Sequence, residues 1–161
     1  MNPVLTKIES TIYEHVSAEN KHKLKDAVSA GMKMLFDDTT HANMQLVKNP
    51  ASRTEPVKTI SSGVAGLVYL MYLHSNKTMK PEVMIMSGTI LMCHVFDFAE
   101  RGLSMRITND IISETTKSLS EQLFKKLGVT PERLQETVNQ GHSELVNYQA
   151  KGGKIPKGVN L

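Results

Sequence analysis

The chain lacks the features that usually mark a secreted or disulfide-stabilised protein. It has 161 residues, no tryptophan and one cysteine, Cys93. A single cysteine cannot form an intramolecular disulfide, so we expect a reducing compartment. Residues 1–9 also lack the basic region and long apolar stretch of a signal peptide. These absences predict synthesis in the cytoplasm.

Sequence motifs that carry catalysis are missing as well. There is no Gly-rich phosphate loop, Gly-x-Ser-x-Gly elbow, Cys-x-x-Cys pair or His-Glu-x-x-His helix. Cys93 and His94 cannot face each other, because neighbouring helical residues point about 100° apart. His94 and Asp97, at i and i+3, are predicted to form a buried structural hydrogen bond, and Asp38, three residues before His41, is a candidate N-cap. We expect no catalytic residue, cofactor or metal; an enzyme built on His94 and Asp97 is the competing interpretation.

Positive charge is concentrated at the C-terminal end of the sequence. The net charge is +3, and residues 151–161 contain three lysines and no acid, which leaves 16 basic and 16 acidic side chains elsewhere. A balanced charge argues against sequence-specific nucleic-acid binding, which usually needs a basic face. Residues 151–161 are predicted to form a flexible basic tail, in which Lys151, Lys154 and Lys157 are candidate contacts to an acidic partner.

Charge is also scarce in the middle of the chain, where two apolar segments of helical length follow each other. Residues 60–73 contain no charged side chain, and residues 83–99 meet their first charge at Asp97. Helices that are apolar on nearly all sides must be buried in a core or in a membrane. Neither segment reaches the roughly 20 apolar residues that span a bilayer, so a buried central hairpin, with Leu70 and Leu91 in its core, is predicted.

Helical spacing of apolar residues accounts for the remaining elements. It predicts helices over about 3–16, 24–35 and 38–48, a loop over 49–56, a helix over 107–127 that stops at Gly128, and a last helix from Thr130 to about Val146. No segment alternates as a strand does. The expected fold is therefore all-α: a single domain of six or seven helices over residues 1–150, followed by the tail.

Small residues and methionines mark the candidate contact residues. Ser62, Gly63 and Gly66 are three or four residues apart, so another helix can approach one side of the first apolar segment closely. Six of ten methionines fall in or beside the hairpin: Met71, Met79, Met84, Met86, Met92 and Met105. Methionine suits irregular cores and adaptable interfaces alike. Of these, Met71, Met84 and Met86 join the candidate interaction residues, with core packing as the alternative.

Three stretches of the chain carry a family resemblance. They are the opening Met1-Asn2-Pro3-Val4-Leu5-Thr6-Lys7-Ile8-Glu9, the Ala30-Gly31-Met32-Lys33 turn, and the apolar hairpin followed by residues 110–127. Together they resemble small all-helical virion proteins of tailed bacteriophages. The resemblance implies a virion protein that is made in the host cytoplasm and assembled into a capsid, neck or tail.

The sequence and the resemblance together predict a non-enzymatic structural or assembly component of a phage particle. Its expected partners are itself and other virion proteins, without a small-molecule substrate or a membrane. The competing hypothesis is a cytosolic helical binding or regulatory module, for example a phage-encoded inhibitor of a host protein.

Overall fold

Proline and asparagine begin most of the helices in the computed structural model, which describes residues 1–37, 49–130 and 132. Four helices carry proline in their first turn, where its missing N–H has no helical partner. The helices are α1 (Pro3–His15), α2 (Ala18–Leu35), α3 (Pro50–Thr54), α4 (Pro56–His74), α5 (Pro81–Leu103) and α6 (Asn109–Lys126). The described residues contain no strand, which confirms the predicted all-α fold.

Contacts divide the chain into two units, Met1–Lys126 and Leu127–Leu161. The six helices belong to the first unit. In the second, Gly128 has a φ of +69°, a conformation that suits glycine after a helix end, so the predicted stop of α6 is confirmed. The helix predicted over 38–48 and the tail at 151–161 lie outside the described residues, as does nearly all of the predicted last helix.

Helix α5 forms the centre of the first unit. It packs against α1, α2, α4 and α6, and Leu91, Met92 and Phe96 are fully buried. The α4–α5 pair is antiparallel, because Gly88, seven residues after the start of α5, lies against Val68, six residues before the end of α4, while residues nearer the connection, 71 and 83, line one groove. The second predicted apolar segment is thus the core helix of the fold.

Two glycines let helices approach α5 and its neighbours closely. A Cβ on Gly31 would lie 2.8 Å from Cδ2 of Leu91, so α2 approaches α5 at a distance that only glycine permits without a shift. A Cβ on Gly88 would lie 3.3 Å from Cγ2 of Val68 and 3.4 Å from Cδ1 of Leu123, where α4, α5 and α6 meet. The core is therefore sensitive to added volume at these positions.

The prediction that both apolar helices are buried on nearly all sides is wrong for α4. Ile60, Val64 and Val68 have no exposed surface, whereas Leu70 is 48% and Leu73 38% exposed. The reason is that α4 packs chiefly on α6 and α5, which cover one side of it. The placement of Leu70 in the core is corrected, while that of Leu91 is confirmed.

The loop predicted over residues 49–56 contains the short helix α3. The Asn49 side chain accepts a hydrogen bond from the Ala51 N–H at 3.0 Å, and Pro50 provides the first helical position. The Glu55 N–H donates to the Ala51 carbonyl at 2.7 Å. Proline often marks a loop, but it can also begin a helix, and here Pro50 begins α3 and Pro56 begins α4.

Candidate interaction surface

One side of α4 presents an uncharged surface to solvent. Ser62, Gly66 and Leu70 are four residues apart and Leu73 follows three later, so the four lie on one side of the helix. We call these residues the outer face of α4. Ser62 and both leucines are exposed and Gly66 is half-buried. No Asp, Glu, Lys or Arg occurs in residues 59–73, so no charge interrupts this face.

Buried polar contacts on the opposite side of α4 fix its rotation. The Ser61 hydroxyl is fully buried and lies 2.9 Å from the Ser118 hydroxyl of α6. The Gln122 side-chain amide donates to the same Ser61 oxygen at 2.9 Å. A buried hydroxyl that lost these partners would cost free energy, so α4 is held with its outer face away from α6.

Aromatic side chains border the outer face on one flank. The Tyr69 and Tyr72 rings have centroids 5.9 Å apart, and the Lys126 Nζ lies 5.2 Å from the Tyr69 centroid. Both tyrosines are half-buried. The outer face is thus an apolar strip with an amphipathic border, an arrangement typical of contact surfaces.

The candidate residues of the first apolar segment lie together, and two leucines join them. Gly63 is half-buried next to Ser62 and Gly66, and nothing in the described part of the chain lies within 4 Å of a Cβ on Gly66. At Gly66, α4 is therefore open instead of packed against the described residues. Sequence reasoning missed Leu70 and Leu73, although their register with Ser62 and Gly66 was a usable signal.

The candidate methionines have different environments. Met84 has no exposed surface and Met71 is 5% exposed, so both are core residues of the folded unit. Met86 is half-buried and lines a groove of about 440 Å³ between α1 and α5. Lys151, Lys154 and Lys157 lie outside the described residues.

His94 and Asp97 do not form the predicted pair, because each has a different partner. The His94 Nε2 lies 3.6 Å from a Glu9 carboxylate oxygen on α1. Asp97 forms ion pairs with the Arg101 guanidinium and, at 3.3 Å, with the Met1 ammonium. The i, i+3 spacing allows a bond, but His94 instead lies near Glu9 of α1, and Asp97 pairs with Arg101 and with the Met1 ammonium, which precedes α1.

Two titratable side chains of α5, Asp97 and Cys93, have pKa values shifted by their surroundings. Burial alone would raise the pKa of the Asp97 carboxyl, but hydrogen bonds and charges from Arg101 and the Met1 ammonium outweigh it and hold that pKa below its usual value. Burial, with a smaller effect of Glu9, raises the pKa of the Cys93 thiol to about 12, so the reactive thiolate is scarce at neutral pH. No group of three or more potential metal ligands occurs among residues 1–37 and 49–130.

Among the described helices, α5 alone is long and apolar enough to cross a membrane, judged by length and composition. Of the 18-residue apolar window in α5, 72% is buried inside the protein, as is common for a core helix. The described residues thus form an all-α fold with an exposed apolar strip on α4. Comparison of the chain with protein-family models, curated proteins and solved structures gave no match.

Proposed function

We propose that the protein is a non-enzymatic, self-associating structural or assembly component of a tailed-phage particle, and that copies meet through the outer face of α4. The observation that carries the proposal is the exposure of Leu70 and Leu73 on a face without charge. Removing apolar surface from water yields roughly 25 cal/mol per Å², so covering these leucines favours association.

The outer face, together with the adjoining Gly63, is complementary to itself in an antiparallel arrangement. With a two-fold axis near residue 68, Leu70 of one copy faces Gly66 of the other, and Leu73 faces Gly63. Each large side chain then meets a position with little or no side chain, and the same contact occurs twice. Such reciprocal pairing is what a two-fold interface requires.

The assignment to a phage particle rests on the resemblance of residues 1–9, residues 30–33 and the apolar hairpin followed by residues 110–127 to small helical virion proteins. A self-associating helical domain is compatible with a part that is present in several copies. The outer face does not depend on that assignment, since it would serve equally in a regulatory module that binds a host protein. The two claims are therefore tested separately.

Disulfide trapping tests the antiparallel pairing. We expect a mixture of Gly66→Cys and Leu70→Cys proteins to form a mixed disulfide faster than either variant forms a homodimer. Cys93 gives little background because it is buried. Preferential Gly66→Cys homodimers would indicate a parallel arrangement and overturn the proposed pairing.

Mass spectrometry of purified phage particles tests whether the protein is part of the virion. The proposal expects the chain in intact virions at a constant ratio to a capsid protein, retained after washing at high salt. Its absence from particles of a phage that produces it in infected cells would refute the virion role. In that case the regulatory module becomes the better hypothesis.

A further inference from the structure

A second concave site lies where α3, the start of α4 and the α5–α6 connection come together. We propose that this cavity binds a small ligand in which an oxyanion, a phosphate or a carboxylate, is attached to a short apolar group. The cavity has a volume of about 320 Å³ and contains two cationic side chains, Arg53 and Arg106. This inference does not depend on self-association through α4.

The two arginines supply unpaired positive charge on this cavity. Neither forms an ion pair or hydrogen bond with a carboxylate in the described part of the chain, and no Asp or Glu lines the cavity. Arginine binds phosphate and carboxylate through two parallel N–H donors, and such charge-assisted bonds are stronger than neutral ones. An anion in the cavity would pair with positive charge that no carboxylate of the cavity wall offsets.

Hydrogen bonds at both ends of the α5–α6 connection fix the backbone that presents Arg106. The Ser104 and Met105 N–H groups both donate to the Ala99 carbonyl, the latter at 3.0 Å. At the other end, the Ile111 N–H donates to the Thr108 hydroxyl at 3.3 Å. Arg106 therefore extends from a short, fixed segment, so little backbone entropy is lost when its exposed side chain binds.

Arg53 is also held on an anchored backbone. Its neighbour Ser52 is fully buried, and α3 packs against α4. The Asn49 side chain caps the first turn of α3. The guanidinium is the exposed end of an otherwise fixed segment, so both cations reach the cavity from rigid supports.

The residues that line the rest of the cavity indicate which chemical group accompanies the anion in the ligand. Apart from Ser104, the residues beside the arginines are apolar: Pro56, Leu103, Met105, Ile107 and Ile111. Ligand cavities usually have volumes of about 300–1,000 Å³, so this one suits a small molecule or a single side chain. An anion alone would leave the apolar wall uncovered, which is why we expect an attached apolar group to increase affinity.

NMR titration of the full-length protein tests the site. The probes are n-butyl phosphate, pentanoate, inorganic phosphate and n-butanol. We expect amide shifts at Arg53, Arg106 and Ile107 with one or both of the first two probes, tighter binding than with inorganic phosphate, and no saturable shift with n-butanol. The stronger of the two anionic probes identifies the phosphate or the carboxylate as the preferred group.

Variants that lose one positive charge at different positions distinguish binding in this cavity from nonspecific electrostatic attraction of anions to the protein. Arg106→Gln and Arg53→Gln should each weaken binding of the better probe by about tenfold or more, as expected for loss of a charge-assisted hydrogen bond. Lys117→Gln removes the same charge from an exposed position on α6 and should leave affinity nearly unchanged. If Arg106→Gln does not fold, Arg53→Gln provides the same test. Equal weakening by Lys117→Gln, or no shift with either anionic probe, would overturn the proposal.

Discussion

At the residue scale, Leu91 and Leu70 show how two leucines in similar apolar segments differ in environment. Leu91 has no exposed surface, whereas Leu70 is 48% exposed. We predict that Leu91→Ala lowers the free energy of unfolding by about 2–5 kcal/mol, because it leaves a cavity in the core. Leu70→Ala should cost less than about 1 kcal/mol in dilute protein. Urea denaturation of both variants measures the difference, and similar losses would contradict the burial described for α5.

Asp97 provides a prediction about pH. Its pKa in the folded protein is below the ordinary value of 3.8, so its ion pairs stabilise the fold above that value. This stabilisation is lost as the pH falls through the folded-state pKa, because the carboxyl becomes protonated. Asp97→Asn removes the charge at every pH and should cost about 1.5–3 kcal/mol at neutral pH.

Denaturation of wild type and Asp97→Asn from pH 7 downwards measures this effect. We expect the difference in unfolding free energy to be constant near neutral pH and to shrink below pH 3.8. Asp110→Asn is a control, since Asp110 is exposed and lies outside the buried ion-pair cluster. A difference between wild type and Asp97→Asn that does not change with pH would exclude the ion pairs as its source.

At the element scale, Gly31 of α2 is closely packed against a neighbouring helix, whereas Gly66 of α4 is not. A Cβ on Gly31 would overlap the Leu91 side chain, whereas a Cβ on Gly66 would meet nothing within 4 Å in the described residues. Gly31→Ala should therefore destabilise the protein by about 1–3 kcal/mol through overpacking. Gly66→Ala should stabilise the dilute protein by about 0.5–1 kcal/mol, since alanine favours helix. Thermal and urea denaturation test both, and stabilisation by Gly31→Ala would contradict the close α2–α5 contact.

The sequence could predict the helices but not which side of α4 is exposed. Apolar spacing indicated α1, α2 and α6, and the length of the second apolar segment indicated that α5 is a core helix. In α4, however, residues 59–73 carry no charge on any side, and of its two adjacent serines Ser61 is buried and Ser62 exposed, so the polar residues alone do not distinguish the exposed side from the buried one. Only the contacts with α5 and α6 decide that question, and these depend on tertiary packing.

The candidate sites, too, could be predicted only in part from the sequence. Ser62, Gly63 and Gly66 can be identified from the sequence as small residues at helical spacing, but the same reasoning predicts that Leu70, which extends the outer face, lies in the core. Arg53 and Arg106 are separated by 53 positions, and no motif connects them. Their shared cavity becomes visible only once α3 and the α5–α6 connection are placed in the fold.

At the scale of the whole molecule, the central claim is that copies associate through the outer face of α4. Leu70→Glu places a charge in the middle of this face without disturbing the core. Val4→Glu is the matched control, since Val4 is 36% exposed on α1 and receives the same change. Unfavourable burial of an unpaired carboxylate should prevent association only in the first variant.

Light scattering coupled to size-exclusion chromatography, over a series of concentrations, tests this claim most directly. We predict that wild type and Val4→Glu have a molar mass at least twice that of the 17.9 kDa chain, while folded Leu70→Glu has the mass of a monomer. A wild-type protein that stays monomeric at all concentrations, or a Leu70→Glu variant that associates as wild type does, would contradict the account.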